Sequence, residues 1–158
     1  MNQKNNNLKL IGWIVGFELV GYFMGLITRA NIHPWYEALN KSVLTPPPIV
    51  FSVVWSILYA MLALAGWALY YQNKQLPMRS IITLYWAQLI MNWAWTPLFF
   101  HFHLIELSLA WLVIIFCLTA VLIFKLWNKK TGLAIMLTPY LLWLLFAAYL
   151  NGAIWWLN

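Results

Sequence analysis

The stretch from Leu133 to Leu157, LAIMLTPYLLWLLFAAYLNGAIWWL, decides the fold. Its 25 residues carry no charged side chain, and an α-helix needs about 17 to 25 apolar residues to cross a hydrocarbon layer of about 30 Å. The run Leu141-Leu142-Trp143-Leu144-Leu145-Phe146 does not alternate apolar with polar, as the ~10-residue strands of a membrane barrel do. A helix is therefore the spanning form. Working outward from it, breaks at charges, Pro and Gly delimit four more spans: Leu10 to Thr28, Ile49 to Tyr71, Ile81 to Phe100 and Leu107 to Phe124. The reading is an all-α integral membrane protein, a bundle of five transmembrane helices forming one domain over residues 1–158.

The composition agrees. The chain is 65% hydrophobic and 8% charged, against about 25% charged in soluble domains, which excludes a water-soluble globule. Nine Lys and Arg against three acidic residues give +6, yet the cations fall singly or in pairs between apolar runs and not on a folded basic face. No nucleic-acid partner is expected; membrane lipid is. The N-terminus and the second and fourth loops hold Lys4, Lys9, Lys74, Arg79, Lys125, Lys129 and Lys130. The first loop holds Arg29 and Lys41, and the third loop and C-terminus none. That bias places the N-terminus in the cytoplasm and the C-terminus on the opposite side, with a bacterial plasma membrane as the expected host. The first span is too long for a signal-peptide core, and Thr28-Arg29-Ala30 is no cleavage site, so it reads as a retained helix. Cys117 stands alone and allows no internal disulfide.

Several side chains stand out. Tyr85, Gln88, Asn92 and Thr96 recur at spacings of 3, 4 and 4 and form one polar stripe on the third span. Two readings stand side by side: interhelical hydrogen bonding that fixes the bundle, and a polar wall lining a ligand cavity. Glu18 lies near the middle of the first span, where an ionisable group is costly and points into the bundle, with Gln88 or Asn92 as the expected partner. Gly12-x3-Gly16, Gly21-x3-Gly25 and Ala148-x3-Gly152 each put two small residues on one helix face, for packing within the chain or for a homodimer. Tyr140, Trp143, Ala147 and Leu150 share a face, as do Trp55 and Tyr59. Such stripes serve as core, interface belt or ligand wall. His101 and His103, with Glu106 nearby, read as solvated loop residues and not as a metal site. The stiff run Pro46-Pro47-Pro48 is expected to set the start of the second helix. No phosphate-binding glycine loop, nucleophile elbow or carboxylate pair is present, so no classical hydrolase or transferase chemistry is expected.

Four segments together resemble the translocator protein family, also called the tryptophan-rich sensory proteins. Trp35-Tyr36-Glu37-Ala38-Leu39-Asn40-Lys41 leading to Pro46-Pro47 is similar to the pattern W-Y-x-x-L-x-K-P-x-W-x-P-P. Val54-Trp55-Ser56-Ile57-Leu58-Tyr59 matches V-W-x-x-L-Y. Asn92 to Phe100 is similar to N-W-x-W-x-P-L-F-F, and Pro139 to Asn151 to P-Y-L-x-W-x-x-F-A-x-x-L-N. The resemblance implies a five-helix bundle with a lipophilic cavity opening toward the first loop. The cavity would take porphyrins such as protoporphyrin IX and other lipophilic aromatic ligands. By position Trp55, Asn92, Trp95, Trp143, Ala147 and Leu150 would line it, with Trp35 and Tyr36 in the covering loop. No metal and no resident cofactor is implied. Light-dependent oxidative porphyrin breakdown is attributed to family members, with the tryptophans matching Trp55 and Trp143 as its catalytic pair.

Three departures stand beside the resemblance. Ser42, Val43 and Leu44 replace the loop's Pro and Trp, removing an aromatic lid residue. No Lys or Arg follows Leu150, so the sterol motif of animal members is missing. Glu18 has no counterpart role. Three functions follow as expectations: a receptor or carrier that binds porphyrin, an enzyme that degrades it under light and oxygen, and a regulatory subunit that binds another membrane protein.

Overall fold

The computed structural model describes residues 3–71 and 78–158. Lys74, one of the charges used for orientation, and the side chain of Lys4 lie outside the described residues. Five α-helices follow in order: α1 Gln3–Ala30, α2 Pro48–Tyr71, α3 Met78–Thr96, α4 Ile105–Trp127 and α5 Thr131–Leu157. A kinked turn over Ile32–Tyr36, broken by extended backbone at His33, and a π-helical turn over Pro97–His101 complete the described secondary structure, which contains no strand. Around the bundle the circuit departs from chain order: α1 adjoins α2, α2 adjoins α5, α5 adjoins α4, α4 adjoins α3 and α3 returns to α1.

Four helices, α1, α2, α4 and α5, are long and apolar enough to cross a membrane. The third expected span is the one that does not reach that standard. Over its described 19 residues α3 carries Arg79, Ser80, Thr83, Tyr85, Gln88, Asn92 and Thr96, a polar content that lowers its mean hydropathy. Helices end where the chemistry requires. Pro48 begins α2, because a proline in the first turn removes an N–H that has no intrahelical acceptor there. Pro97 cannot donate to the preceding turn, and the backbone widens past it: the Phe102 N–H donates to the Pro97 carbonyl at 2.9 Å, five residues back.

Burial separates the helices by role. Leu62 and Leu69 of α2, Tyr85 and Leu89 of α3, Leu112, Ile115, Leu122 and Leu126 of α4, and Leu137, Tyr140 and Leu144 of α5 are fully enclosed. Phe17 is the one buried residue of α1 among those described; Ile11, Val15, Leu19, Tyr22, Phe23 and Leu26 stand exposed. In water such a surface would be an aggregation site, and in a bilayer it is the lipid face.

Small residues act at only some of the places that their pattern marks. A Cβ at Gly21 would meet the Tyr59 ring at 2.6 and 2.8 Å, so the α1–α2 crossing needs a glycine there. Gly12, Gly16 and Gly25 meet nothing within 4 Å, and Gly152 faces only Leu109 at ordinary contact distance. Of the glycines in the three small-residue pairs, packing within the chain depends on Gly21.

Candidate ligand-binding site

The polar stripe of α3 turns inward as a unit: Tyr85, Gln88, Asn92 and Thr96 are all buried. Tyr140 of α5 donates its hydroxyl to Gln88 Oε1 at 2.8 Å, and Gln88 Nε2 donates to the Tyr85 carbonyl at 3.0 Å. The Tyr85 hydroxyl reaches across to the Leu62 carbonyl of α2 at 2.8 Å. Tyr59 of α2 donates to Asn92 Oδ1 at 3.4 Å. Away from water each of these groups needs a partner, and the network ties α2, α3 and α5 together at one depth. Interhelical hydrogen bonding is therefore what the stripe does in this state of the molecule.

Above this layer the π turn after Pro97 aims Phe99 into the bundle. Phe99 is buried, stacks on Trp95 with centroids 5.1 Å apart, and meets the edges of Trp35 at 5.4 Å and Tyr36 at 6.1 Å. Trp35 in turn stacks on His103 at 4.0 Å and 16°. Burial pushes the Tyr36 hydroxyl above the usual tyrosine range, so it stays neutral. The first loop thus docks on the end of α3 through aromatic rings.

The loop is also tied to the end of α5. The Asn40 N–H donates to Asn158 Oδ1 at 2.9 Å, while Asn158 Nδ2 donates to the Asn40 carbonyl at 3.0 Å. Ser42 Oγ and the Tyr149 hydroxyl share a hydrogen bond of 2.8 Å. Lys41 Nζ donates to the carbonyls of Tyr36, Glu37 and Leu39, closing the preceding turn. The departure at Leu44 therefore removes an aromatic ring while the one at Ser42 adds a hydrogen bond; Val43 and Leu44 are exposed.

Of the eight expected ligand residues, the structure gathers Trp35, Tyr36 and Trp95 around Phe99, and joins Trp55 to Asn92 through Tyr59, which Trp55 meets at 5.5 Å. Trp143 and Ala147 pack against the same core from α5, and Leu150 is buried on the same helix. Trp143 has its own ring neighbours, Phe51 at 5.9 Å and Phe146 at 5.6 Å, and shares no ring contact with Trp55. The indole N–H groups of Trp95 and Trp143 are buried without a hydrogen-bond partner. An open cleft of about 460 Å³ lies beside this region, between Leu26, Ile27, Ala30 and Asn31 of the α1 end and Pro97, His101 and Phe102. None of the eight residues lines it.

Two expectations need correction. Glu18 is not partnered by Gln88 or Asn92: its polar neighbour is Ser56 of α2, because α1 presents this face to α2 while the two α3 carboxamides are held by tyrosines. His103 is exposed, yet it is not simply solvated, since Trp35 stacks on it. Among the described residues no group of three His, Cys, Asp or Glu side chains converges as a metal site would require. Sequence reasoning missed Phe99 and Phe51 as site residues. The spacing of Asn92, Trp95 and Phe99, 3 and 4, was the signal for the first, since it continues the inward face of α3.

Long apolar helices around a hydrogen-bonded polar layer, with an aromatic, loop-covered end, define an integral membrane helix-bundle protein. The chain belongs to the TspO/MBR family, whose sequence model matches residues 13–157. It is 33% identical over 152 residues to a translocator protein of Sus scrofa, covering 89% of this chain and 87% of that one. It is 31% identical over 160 residues to the tryptophan-rich protein TspO of Archaeoglobus fulgidus, covering 97% and 99%. With the tryptophan-rich sensory protein of Cereibacter sphaeroides it shares 30% over 126 residues, 78% of each chain. The resemblance carried by the four motif segments holds.

Proposed function

We propose that this protein is a membrane receptor or carrier that binds a porphyrin, or another large lipophilic aromatic molecule, between the first loop and the polar layer. The observation that carries the reading is the pair of buried, unpartnered indole N–H groups on Trp95 and Trp143. Trp95 belongs to the aromatic set beneath the loop and Trp143 packs on the same core beside Phe51 and Phe146, and a flat ligand bearing acceptor atoms would satisfy their N–H groups while its rings pack on theirs. In this reading the single domain crosses a bacterial plasma membrane five times, α3 being carried by its neighbours, with the N-terminus cytoplasmic. Lys9 over the Tyr71 ring, 4.6 Å away, supports a common side for the start of α1 and the end of α2. The unpacked Gly12 and Gly16 face would receive a second copy of the chain.

The test is a titration of detergent-solubilised protein with protoporphyrin IX in the dark, followed by tryptophan quenching. Saturation near one ligand per chain is expected, and Trp143→Ala should weaken binding about tenfold, some 1.4 kcal/mol. Ala147→Leu should weaken it by narrowing the site, while Asn92→Ala should change ligand preference. Quenching equal to that of an unrelated tryptophan-rich membrane protein would overturn the reading.

Ligand arrival in this reading requires the loop to lift. An exposed hydrogen bond contributes about 0.5–1.5 kcal/mol net, so the double variant Ser42→Ala, Asn158→Ala, which removes the side-chain partners of these ties, should speed protoporphyrin association by roughly three- to tenfold. Stopped-flow quenching measures it; an unchanged association rate means that the ties to Asn158 and Tyr149 do not gate the site.

A further inference from the structure

Val43 and Leu44, in the middle of the first loop, take part in none of the contacts above. The protein covers neither: Val43 is 100% exposed and Leu44 60%, and each aliphatic side chain gains free energy by leaving water. Two ties to α5 fix their height. Asn40 bonds Asn158 at the helix end, and two residues later Ser42 bonds the Tyr149 hydroxyl, so the chain runs down the side of α5 toward its middle. Tyr149 stands on the same helix face as Leu142, Leu145 and Trp156, and all four are exposed. That face is turned to lipid. Trp155 and Trp156, exposed in the last turn, hold the position of an interfacial aromatic belt. Tyr149 lies seven residues before Trp156, about 10 Å along the helix, and helical side chains lean toward the helix start. The Ser42–Tyr149 bond therefore sits on the hydrocarbon side of the belt and brings the loop tip to the lipid-facing surface there.

Irregular backbone is kept out of hydrocarbon by polar groups that find no partner, and the donors of this tip are accounted for. The Leu44 N–H donates to Ser42 Oγ at 3.1 Å and the Thr45 N–H to the Ser42 carbonyl at 3.0 Å, while Pro46, Pro47 and Pro48 have no N–H. From Leu44 to Pro48 no backbone donor needs water. No charged side chain lies between Ser42 and Tyr71, and the neighbouring cation, Lys41, turns its ammonium back onto the carbonyls of Tyr36, Glu37 and Leu39. We propose that Val43 and Leu44 are a membrane anchor, inserted at the headgroup–acyl boundary of the leaflet beside the C-terminal end of α5. What covers them is the acyl chains of bilayer lipid, because the tip continues the lipid-facing surface of α5. The loop is thus divided: up to Lys41 it docks on Phe99 and its neighbours, and beyond it the tip rests on lipid. The anchor requires the membrane-spanning bundle and is independent of what the aromatic site binds.

The experiment is thiol accessibility of the full chain in phosphatidylcholine nanodiscs holding one chain each, in a Cys117→Ala background. Val43→Cys and Leu44→Cys place a thiol at the tip without removing a packed side chain. Ala38→Cys, exposed in the same loop beside the ion-paired Glu37, is the water-facing reference. Both tip variants are expected to react with a cationic, membrane-impermeant methanethiosulfonate at least tenfold more slowly than the reference. A bimane attached to Val43→Cys should be quenched by acyl-brominated phosphatidylcholine at least twofold more strongly than one attached to Ala38→Cys. Quenching at position 43 no greater than at position 38 overturns the proposal. Protection that appears only in discs holding two chains overturns it as well, since the tip would then be covered by a second copy.

Discussion

Gly66→Ala is expected to lower the unfolding midpoint by several degrees although alanine is the better helix former. In water the exchange favours a helix by about 1 kcal/mol. Here a Cβ at position 66 would run into the Trp13 ring, with Cε3 at 2.9 Å, and into the Tyr85 hydroxyl. Neither neighbour is free to give way. Trp13 is held among Phe17, Tyr70 and Trp86, with centroids 5.5 to 6.0 Å apart, and Tyr85 is fixed by its bond to the Leu62 carbonyl. Overpacking of this kind costs about 1–3 kcal/mol, a shift of several degrees for a chain of this size. Thermal unfolding in detergent measures it. In a Trp13→Leu background the cost should shrink by more than half, since the two residues share one space and their effects cannot add. An equal or higher midpoint for Gly66→Ala would mean that α1 moves away from α2 without penalty.

Legibility in the sequence divides along the same line. Apolar run length foretold the helices, because a lipid solvent leaves the backbone almost no other choice. α1 nonetheless starts at Gln3, well before the apolar run, since a helix need not stop where hydrocarbon does. The α3 stripe was legible from its period, but its partners were not: Tyr140 and Tyr59 come from helices that are neighbours only in space. Glycine spacing was a poor guide to contact: among the marked α1 glycines Gly21 alone packs closely. Gly12 and Gly16 fit the small-residue pattern and touch nothing, whereas Gly66 stands outside every such pair and carries the tightest crossing. Glu18 was seen as exceptional, but which helix would face it depended on the rotation of α1, which a uniformly apolar surface does not encode.

Phe99 shows the same limit at the candidate site, and Phe99→Ala is expected to have the largest effect of any single change considered. Truncating a buried phenylalanine costs about 3–5 kcal/mol, and this ring is the only described one that meets Trp35, Tyr36, Trp95 and Phe100 together. Its loss removes the floor on which the first loop rests. The remaining ties, Asn40 with Asn158 and Ser42 with Tyr149, lie at exposed positions, where net contributions are small. Tryptic cleavage after Lys41 should therefore accelerate at least tenfold well below the unfolding midpoint, because the Lys41 ammonium now holds three carbonyls of that turn. Gly66→Ala serves as the comparison: it destabilises the bundle far from the loop and should leave this cleavage unchanged at the same temperature. Phe99→Leu should fall between, restoring volume without the stacked face. Equal cleavage rates for Phe99→Ala and the parent would show that the loop is held by its polar ties alone, and that the aromatic contacts beneath it position the rings of the site without closing it.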